Sequence, residues 1–262
     1  MIVGFIGDTF GLSAPLGFVA KHLIYKKANA IISNSRTGLE AYKVNSKKGM
    51  VIYNGFDQKR IKKFNSNKPT LSSLGINTTF TIVMLANVTQ HKDYNTFIKI
   101  AQKLTKKRND ITFLSVGKIK PEYNEMVAPY LNNKCKQIKF IGFYSNPESI
   151  LQESDIGILC SYSEGISNAI LEYMAVGLPV ITTDTAGASK ELVDNEITGF
   201  ICEKEQVLEK IDLLLSNINL RRKMGEKGRN RIQNSFSINK TLIKYIELYN
   251  NVINENSKTS RA

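Results

Sequence analysis

Cysteine and histidine are scarce in this chain of 262 residues, with three of the first and two of the second. Cys135, Cys160 and Cys202 stand far apart with no CxxC spacing, which argues against a disulfide framework or a thiolate zinc site. Buried free thiols in a reducing compartment are the expectation. His22 and His91 are distant in sequence, and no metal-ligand spacing is visible anywhere, so no metal is expected. His91 reads as a loop residue with no nucleophile or carboxylate partner, and His22 as packing. No apolar run is long enough to span a membrane as a helix. The opening "MIVGFIGDTFGLSAPLGFVAKHLIYKK" lacks a basic leading region and carries Asp8, which argues against a signal peptide. The expected location is cytoplasmic, with peripheral contact at the inner membrane surface left open.

Positive charge is abundant. The formal net charge is +13, from 36 Lys and Arg against 23 Asp and Glu. Such a balance suits anionic partners, whether a nucleotide phosphate or a phospholipid surface, although a solvated lysine-rich surface explains it equally well. The basic clusters "KKRND", "KQIKF" and "RRKMGEKGRNR" have no interleaved aromatics for base stacking, which disfavours nucleic acid. Apolar residues make up 42% of the chain, enough for a sizeable core.

From residue 80 onward, nearly continuous apolar runs alternate with segments of helical period. The runs are "FTIVMLA", "ITFLSVG", "IKFIGF", "IGILCS", "PVITTD" and "GFIC"; between the first five lie "DYNTFIKIAQKLTKK", "EYNEMVAPYLNN", "PESILQES" and "SNAILEYMAVG". This pattern predicts an α/β fold, a Rossmann-like doubly wound parallel sheet with both faces covered. Residues 1–57 carry too few strands to close a core alone and read as the remnant of a preceding domain with its hinge. Residues 58–78 read as a linker, 79–236 as the Rossmann-like domain and 237–262 as a final helix with a frayed tail. The apolar stripe Leu242, Ile246, Tyr249 and Ile253 on that helix needs something to pack on.

In a doubly wound sheet, ligands bind at the carboxyl ends of the strands. Those ends are Ala86-Asn87, Gly117-Lys118, Gly142-Phe143, Ser161 to Glu164 and Thr183-Asp184. The segment "SEGISNAILEYMAVGLPVI" begins at one of them. Gly165 allows close backbone approach, Ser167 or Asn168 is a suitable N-cap, and the helix start that follows suits a phosphate. Glu164 and Glu172 stand eight positions apart, which at helical rise is roughly 12 Å, with the two side chains within about a quarter turn of each other. Two carboxylates so spaced can hold the hydroxyls at either end of a nucleoside diphosphate sugar. Lys92, at a helix start beside the same crevice, can neutralise a departing diphosphate. In "TDTAGASKELV", Gly187 permits a tight turn, and the loop amides either touch the ligand or simply start a helix.

These residues, with "IGDTF", "NSRTGLEAY", "VIYNGFD", "ANVTQHKDYNTFIK" and "FIGF" around them, resemble the retaining nucleotide-sugar glycosyltransferases of family 4, which have the two-domain GT-B fold. The resemblance implies sugar transfer from a UDP- or GDP-linked donor with retention at the anomeric carbon and without a required metal or other cofactor. It makes Glu164 the carboxylate on the donor sugar, Glu172 the carboxylate on the ribose and Lys92 the diphosphate lysine. Glu164 and Lys92 are then the expected catalytic residues. Asn87, Gly142, Phe143, Gly165, Ile166, Ser167, Asn168, Leu171 and Glu172 are the expected donor-binding set. Asn87 stands where many members carry arginine and Asp93 where many carry glycine. The resemblance implies a glycan or lipid-linked acceptor in cell-surface polysaccharide synthesis; the short front segment adds a partner chain, and the basic charge balance an anionic membrane surface, as further candidate partners. It also implies that most of the acceptor domain is missing. A non-catalytic nucleotide-sugar-binding subunit and a nucleotide-sugar epimerase remain open as alternatives.

Overall fold

The computed structural model describes residues 3–6, 25–45, 47–62, 70–131, 134–185 and 187–259. The helix expected around residues 15–27 falls largely outside these, and His22 and Asp8 fall wholly outside.

The main body is a six-stranded sheet of β4 (Phe80–Leu85), β5 (Ile111–Val116), β6 (Ile138–Phe140), β7 (Ile156–Leu159), β8 (Val180–Thr183) and β9 (Gly199–Cys202). The order is β6-β5-β4-β7-β8-β9, and every neighbouring pair is parallel. All six strands anticipated from the apolar runs are present. Counted within this body the order is 3-2-1-4-5-6, the doubly wound arrangement, with its direction reversing between β4 and β7. Strands β5 and β7 are buried along their whole length, which is why they read as unbroken apolar runs.

The reversal point is held by one tyrosine. Strands β4 and β7 are in register only at Ile82 with Ile156 and Val83 with Gly157, and beyond that pairing they diverge. Into the gap comes the hydroxyl of Tyr173, from α7 (Asn168–Val176), which accepts from the Leu85 amide at 2.5 Å and donates to the Ile158 carbonyl at 3.2 Å. The ring packs against Gly157, where a Cβ would sit 2.4 Å from it, so only glycine fits there. Splayed strand ends at the reversal leave a crevice.

Helices α4 (Tyr94–Thr105), α6 (Pro147–Glu153), α9 (Val207–Ser216) and α10 (Ile218–Ser235) cover the sheet around one continuous hydrophobic core. The segment "EYNEMVAPYLNN" departs from expectation. It is three single turns, 3-10 at Pro121–Tyr123, α5 (Asn124–Val127) and 3-10 again at Ala128–Tyr130, because Pro129 lacks the amide that a continuous helix needs.

A smaller parallel sheet, β1 (Val3–Ile6), β2 (Ala30–Ser33) and β3 (Gly49–Val51), carries α1 (Arg36–Ala41). Residues 58–78, read as linker, contain the single turns α2 (Lys59–Lys62) and α3 (Thr70–Ser73). The long α11 (Ile238–Thr259) returns across the small sheet, and the tail expected to fray continues this helix as far as Thr259. Leu248 and Val252, with Tyr245, pack on Ala30, Ile32 and Ile52. The stripe singled out in the sequence lies about a quarter turn away: Leu242, Ile246, Tyr249 and Ile253 are exposed. Cys160 and Cys202 are buried as expected, whereas Cys135 is only half-buried.

Candidate functional site

The loops following β4 and β7 lie side by side at the reversal point because their backbones are zipped together. Lys92 and Ser161 form an antiparallel bridge, the Asp93 amide donates to the Cys160 carbonyl at 3.0 Å, and the Tyr162 amide donates to the His91 carbonyl at 3.0 Å. Asp93 caps α4 through the Thr96 amide at 3.1 Å and pairs with Lys204 at 2.5 Å. That cap fixes where Lys92 stands. Its ammonium pairs with the Glu164 carboxylate, which also accepts from the Ser161 hydroxyl at 2.6 Å. Burial lowers Lys92 from the usual lysine range to about 8, so at neutral pH it remains an ammonium and the contact with Glu164 is an ion pair. The Glu164 carbonyl receives the Ala188 amide at 3.1 Å, which ties the loop after β8 to the same place.

The second glutamate has its own cation. Glu172 is buried on α7, and its carboxylate accepts from the Arg60 guanidinium at 2.8 Å. Burial raises its pKa above the ordinary glutamate value; the Arg60 hydrogen bond and charge pull it back, and neighbouring Glu148 pushes it up again. Because α7 begins only at Asn168, helical rise does not govern the first half of the interval from Glu164 to Glu172. A loop, not a helix face, sets the position of Glu164. Ser167 is the N-cap residue as expected, though its hydroxyl makes no bond to the first-turn amides.

Glu172 faces a cleft of about 320 Å³ at the carboxyl ends of β4 and β5, lined also by Asn87, Gly117, Phe143, Ser145 and Asn168. Lys92 and Glu164 do not line this cleft; they stand at the carboxyl end of β7. Phe143 is 67% exposed, with the Lys118 ammonium 5.4 Å from its ring centre. Gly142 adopts a positive φ and accepts the Gly117 amide at 2.8 Å, while the Asn87 side chain accepts the Lys118 amide at 2.9 Å. Gly117 sits so close to β4 that a Cβ would lie 2.2 Å from the Ala86 carbonyl oxygen.

Among the expected binding residues, Ile166 and Leu171 place their side chains in the hydrophobic core rather than in the cleft, and the Leu171 amide bonds to the Ser167 carbonyl. Gly165 and Ser167 are buried in the loop between the glutamates. Two residues escaped the sequence reading, Arg60 and Glu148; neither carried a local signal, because Arg60 reaches Glu172 across 112 positions and Glu148 joins the pair only through Arg60.

A larger hollow of about 530 Å³ lies at the opposite, amino edge of the sheet, lined by Thr78, Thr112, Gln137 and Lys139. It lacks the converging carboxylates, and open α/β sheets bind ligands at the other edge. Among the described residues there is no cluster of potential metal ligands and no helix long and apolar enough to cross a membrane.

The doubly wound parallel sheet, with a smaller parallel sheet and a long final helix beside it, is an α/β architecture of GT-B type. Residues 68–231 match the family Glycosyl transferases group 1, and the chain belongs to that family. The capsular polysaccharide biosynthesis glycosyltransferase CapM of Staphylococcus aureus is 28% identical over 184 residues, covering 69% of this chain and 48% of its own length. The N-acetylgalactosamine-N,N'-diacetylbacillosaminyl-diphospho-undecaprenol 4-alpha-N-acetylgalactosaminyltransferase of Campylobacter jejuni is 23% identical over 233 residues, covering 86% of this chain and 61% of its own length. This chain therefore spans about half to three-fifths of the length of these two relatives. The Anabaena protein Alr3699/HepE, solved in complex with UDP, superposes with a TM-score of 0.81 at 20% identity over 95% of this chain and 72% of its own.

Proposed function

We infer that this chain is the donor-binding half of a retaining glycosyltransferase of family 4, which transfers a sugar from a nucleoside diphosphate sugar to a glycan or lipid-linked acceptor. The observation that carries the reading is that two carboxylate–cation pairs, Glu164 with Lys92 in the loops after β7 and β4 and Glu172 of α7 with Arg60 of α2, stand beside the point where the two strands diverge. In this reading the nucleoside lies in the 320 Å³ cleft with its ribose hydroxyls on Glu172 and its base beside the exposed ring of Phe143. The diphosphate crosses toward the first turn of α7 and Lys92, where free amides and an ammonium balance its charge. Glu164 then exchanges its ion pair for a hydroxyl of the transferred sugar. As the anomeric bond to the phosphate breaks, the acceptor oxygen replaces it on the same face, the acceptor's hydroxyl proton passes to the departing phosphate oxygen, and negative charge gathers on the diphosphate as it leaves. Lys92 is already in place to stabilise it.

UDP is the favoured nucleotide, since the Anabaena neighbour binds it. Relatives named for capsule synthesis and for a diphospho-undecaprenol acceptor support polysaccharide assembly on a lipid-linked acceptor. Calorimetric titration with UDP- and GDP-sugars tests the assignment: one of them binds, and Glu172→Ala weakens it at least about tenfold, the loss of one charge-assisted hydrogen bond. Equal affinity of the variant and the parent for every nucleotide sugar would contradict it.

A further inference from the structure

We propose that Arg60 is a positioning residue that holds Glu172 as an oriented anion for the ribose hydroxyls against the opposing charge of Glu148, so that the segment joining the small sheet to the main body takes part in donor recognition. The proposal rests on the assignment of Glu172 to the ribose.

Glu148 and Glu172 are 2% and 9% exposed, and one nitrogen of Arg60 contacts a carboxylate oxygen of each. Two carboxylates so buried and so close do not both ionise without a cation between them. Arg60 supplies that cation from α2, which lies far from α7 in sequence. Its guanidinium rests 5.0 Å over the ring of Phe56, a residue that is 2% exposed, and this stacking fixes the planar fork. Glu148 lies in the first turn of α6. Other charged groups sit on the elements packed against α7: Glu153 on α6, Lys190 and Glu191 on α8 (Ser189–Leu192), and on α10 a run of arginines and lysines with Glu226, of which Arg229 bonds to the Val176 carbonyl at the far end of the helix. At Glu172 itself the balance lies between Arg60 and Glu148.

An ionised carboxylate accepts from two ribose hydroxyls, whereas a protonated one loses half of that capacity and turns a donor toward them. Removing Arg60 leaves two mutually repelling buried carboxylates, and Glu172 takes up a proton at higher pH than in the parent. Removing the charge on Glu148 as well relieves the repulsion.

The test is the affinity for UDP-glucose, whose diphosphate does not titrate in this range, measured by calorimetry from pH 5.5 to 7.5. The parent protein should be nearly flat. Arg60→Gln should bind about tenfold more weakly at the acid end and recover as pH rises, since one unit of pKa corresponds to a tenfold change. Arg60→Gln combined with Glu148→Gln should regain most of the lost affinity, and Glu148→Gln alone should bind like the parent. The proposal is overturned if Arg60→Gln binds as the parent does at every pH, if it is weaker by one constant factor, if it binds more tightly, or if the double variant stays as weak as the single one. Glu172→Gln separates the two levels of the argument. If it binds UDP-glucose as the parent does, the ribose assignment itself is wrong; if it is weakened while Arg60→Gln is not, only the positioning role fails.

Discussion

Replacing Glu191 by alanine should loosen the small sheet from the main body. The Glu191 carboxylate, on α8 (Ser189–Leu192), accepts the Arg36 amide at 2.9 Å, the Thr37 amide at 3.0 Å, the Thr37 hydroxyl at 2.8 Å and the Tyr53 hydroxyl at 2.9 Å. Ser35 takes the next amide, that of Gly38, at 2.9 Å, so the first turn of α1 is fully satisfied, partly from another unit of the fold. Arg231 fixes the clamp from behind by donating to the Glu191 and Leu192 carbonyls at 3.1 and 2.7 Å. Hydrogen bonds to a charged acceptor contribute about 1.5–3 kcal/mol each when buried. These are partly exposed and water replaces some of them, so the sum lost is about 2–3 kcal/mol. Amide exchange at Arg36 and Thr37, read by NMR or mass spectrometry, should accelerate roughly 30- to 150-fold, with a fall of roughly 5–10 °C in melting temperature. Glu191→Gln, which keeps one acceptor, should fall between. Exchange that changes less than about threefold at both positions in Glu191→Ala would refute the clamp.

Three further outcomes are expected. Gly117→Ala forces a side chain into the Ala86 carbonyl at a backbone angle of +154°, so it should destabilise the protein by roughly 1–3 kcal/mol in urea unfolding and weaken UDP binding; unchanged values of both would show that the loop gives way freely. With Lys92 lowered to about 8, the ammonium is present below that pH and lost above it, so UDP-glucose affinity should hold to pH 8 and then fall by up to about tenfold per unit. Lys92→Met should be weaker and lack this fall; a parent curve that stays level to pH 9.5 would remove Lys92 from the diphosphate. Tyr173→Phe leaves the Leu85 amide without its partner at the reversal point and should cost about 1–3 kcal/mol in the same unfolding assay, and a cost below about 0.5 kcal/mol would contradict the bracing role.

Strands were legible where burial on both faces wrote itself as unbroken apolar sequence: "ITFLSVG" and "IGILCS" mark β5 and β7 without ambiguity. The rule that ligands bind at the carboxyl ends of parallel strands directed attention to five strand ends, Ala86-Asn87, Gly117-Lys118, Gly142-Phe143, Ser161 to Glu164 and Thr183-Asp184, but the reversal between β4 and β7 depends on tertiary pairing and was not legible. What failed were inferences that extended a helix by periodicity alone. Pro129 broke one such helix, and the loop before Asn168 removed Glu164 from another. On α11 the apolar residues occupy most of the circumference, so the pattern did not say which stripe packs, and Tyr245, Leu248 and Val252 were passed over for the exposed one. The partners of the site carboxylates were invisible for a different reason. Arg60 reaches Glu172, and Glu191 reaches Arg36 and Thr37, across more than a hundred residues, and charge pairing at that separation leaves no trace in local sequence.

The central claim is that an elongated anionic nucleotide lies across the reversal point between the two glutamates. A crystal structure of the chain with UDP tests it most directly. The account predicts ribose hydroxyls on the Glu172 carboxylate, the base against Phe143 and phosphate oxygens within hydrogen-bonding distance of Lys92; UDP seated instead in the hollow beside Thr112 and Lys139, at the amino edge of the sheet, would contradict it.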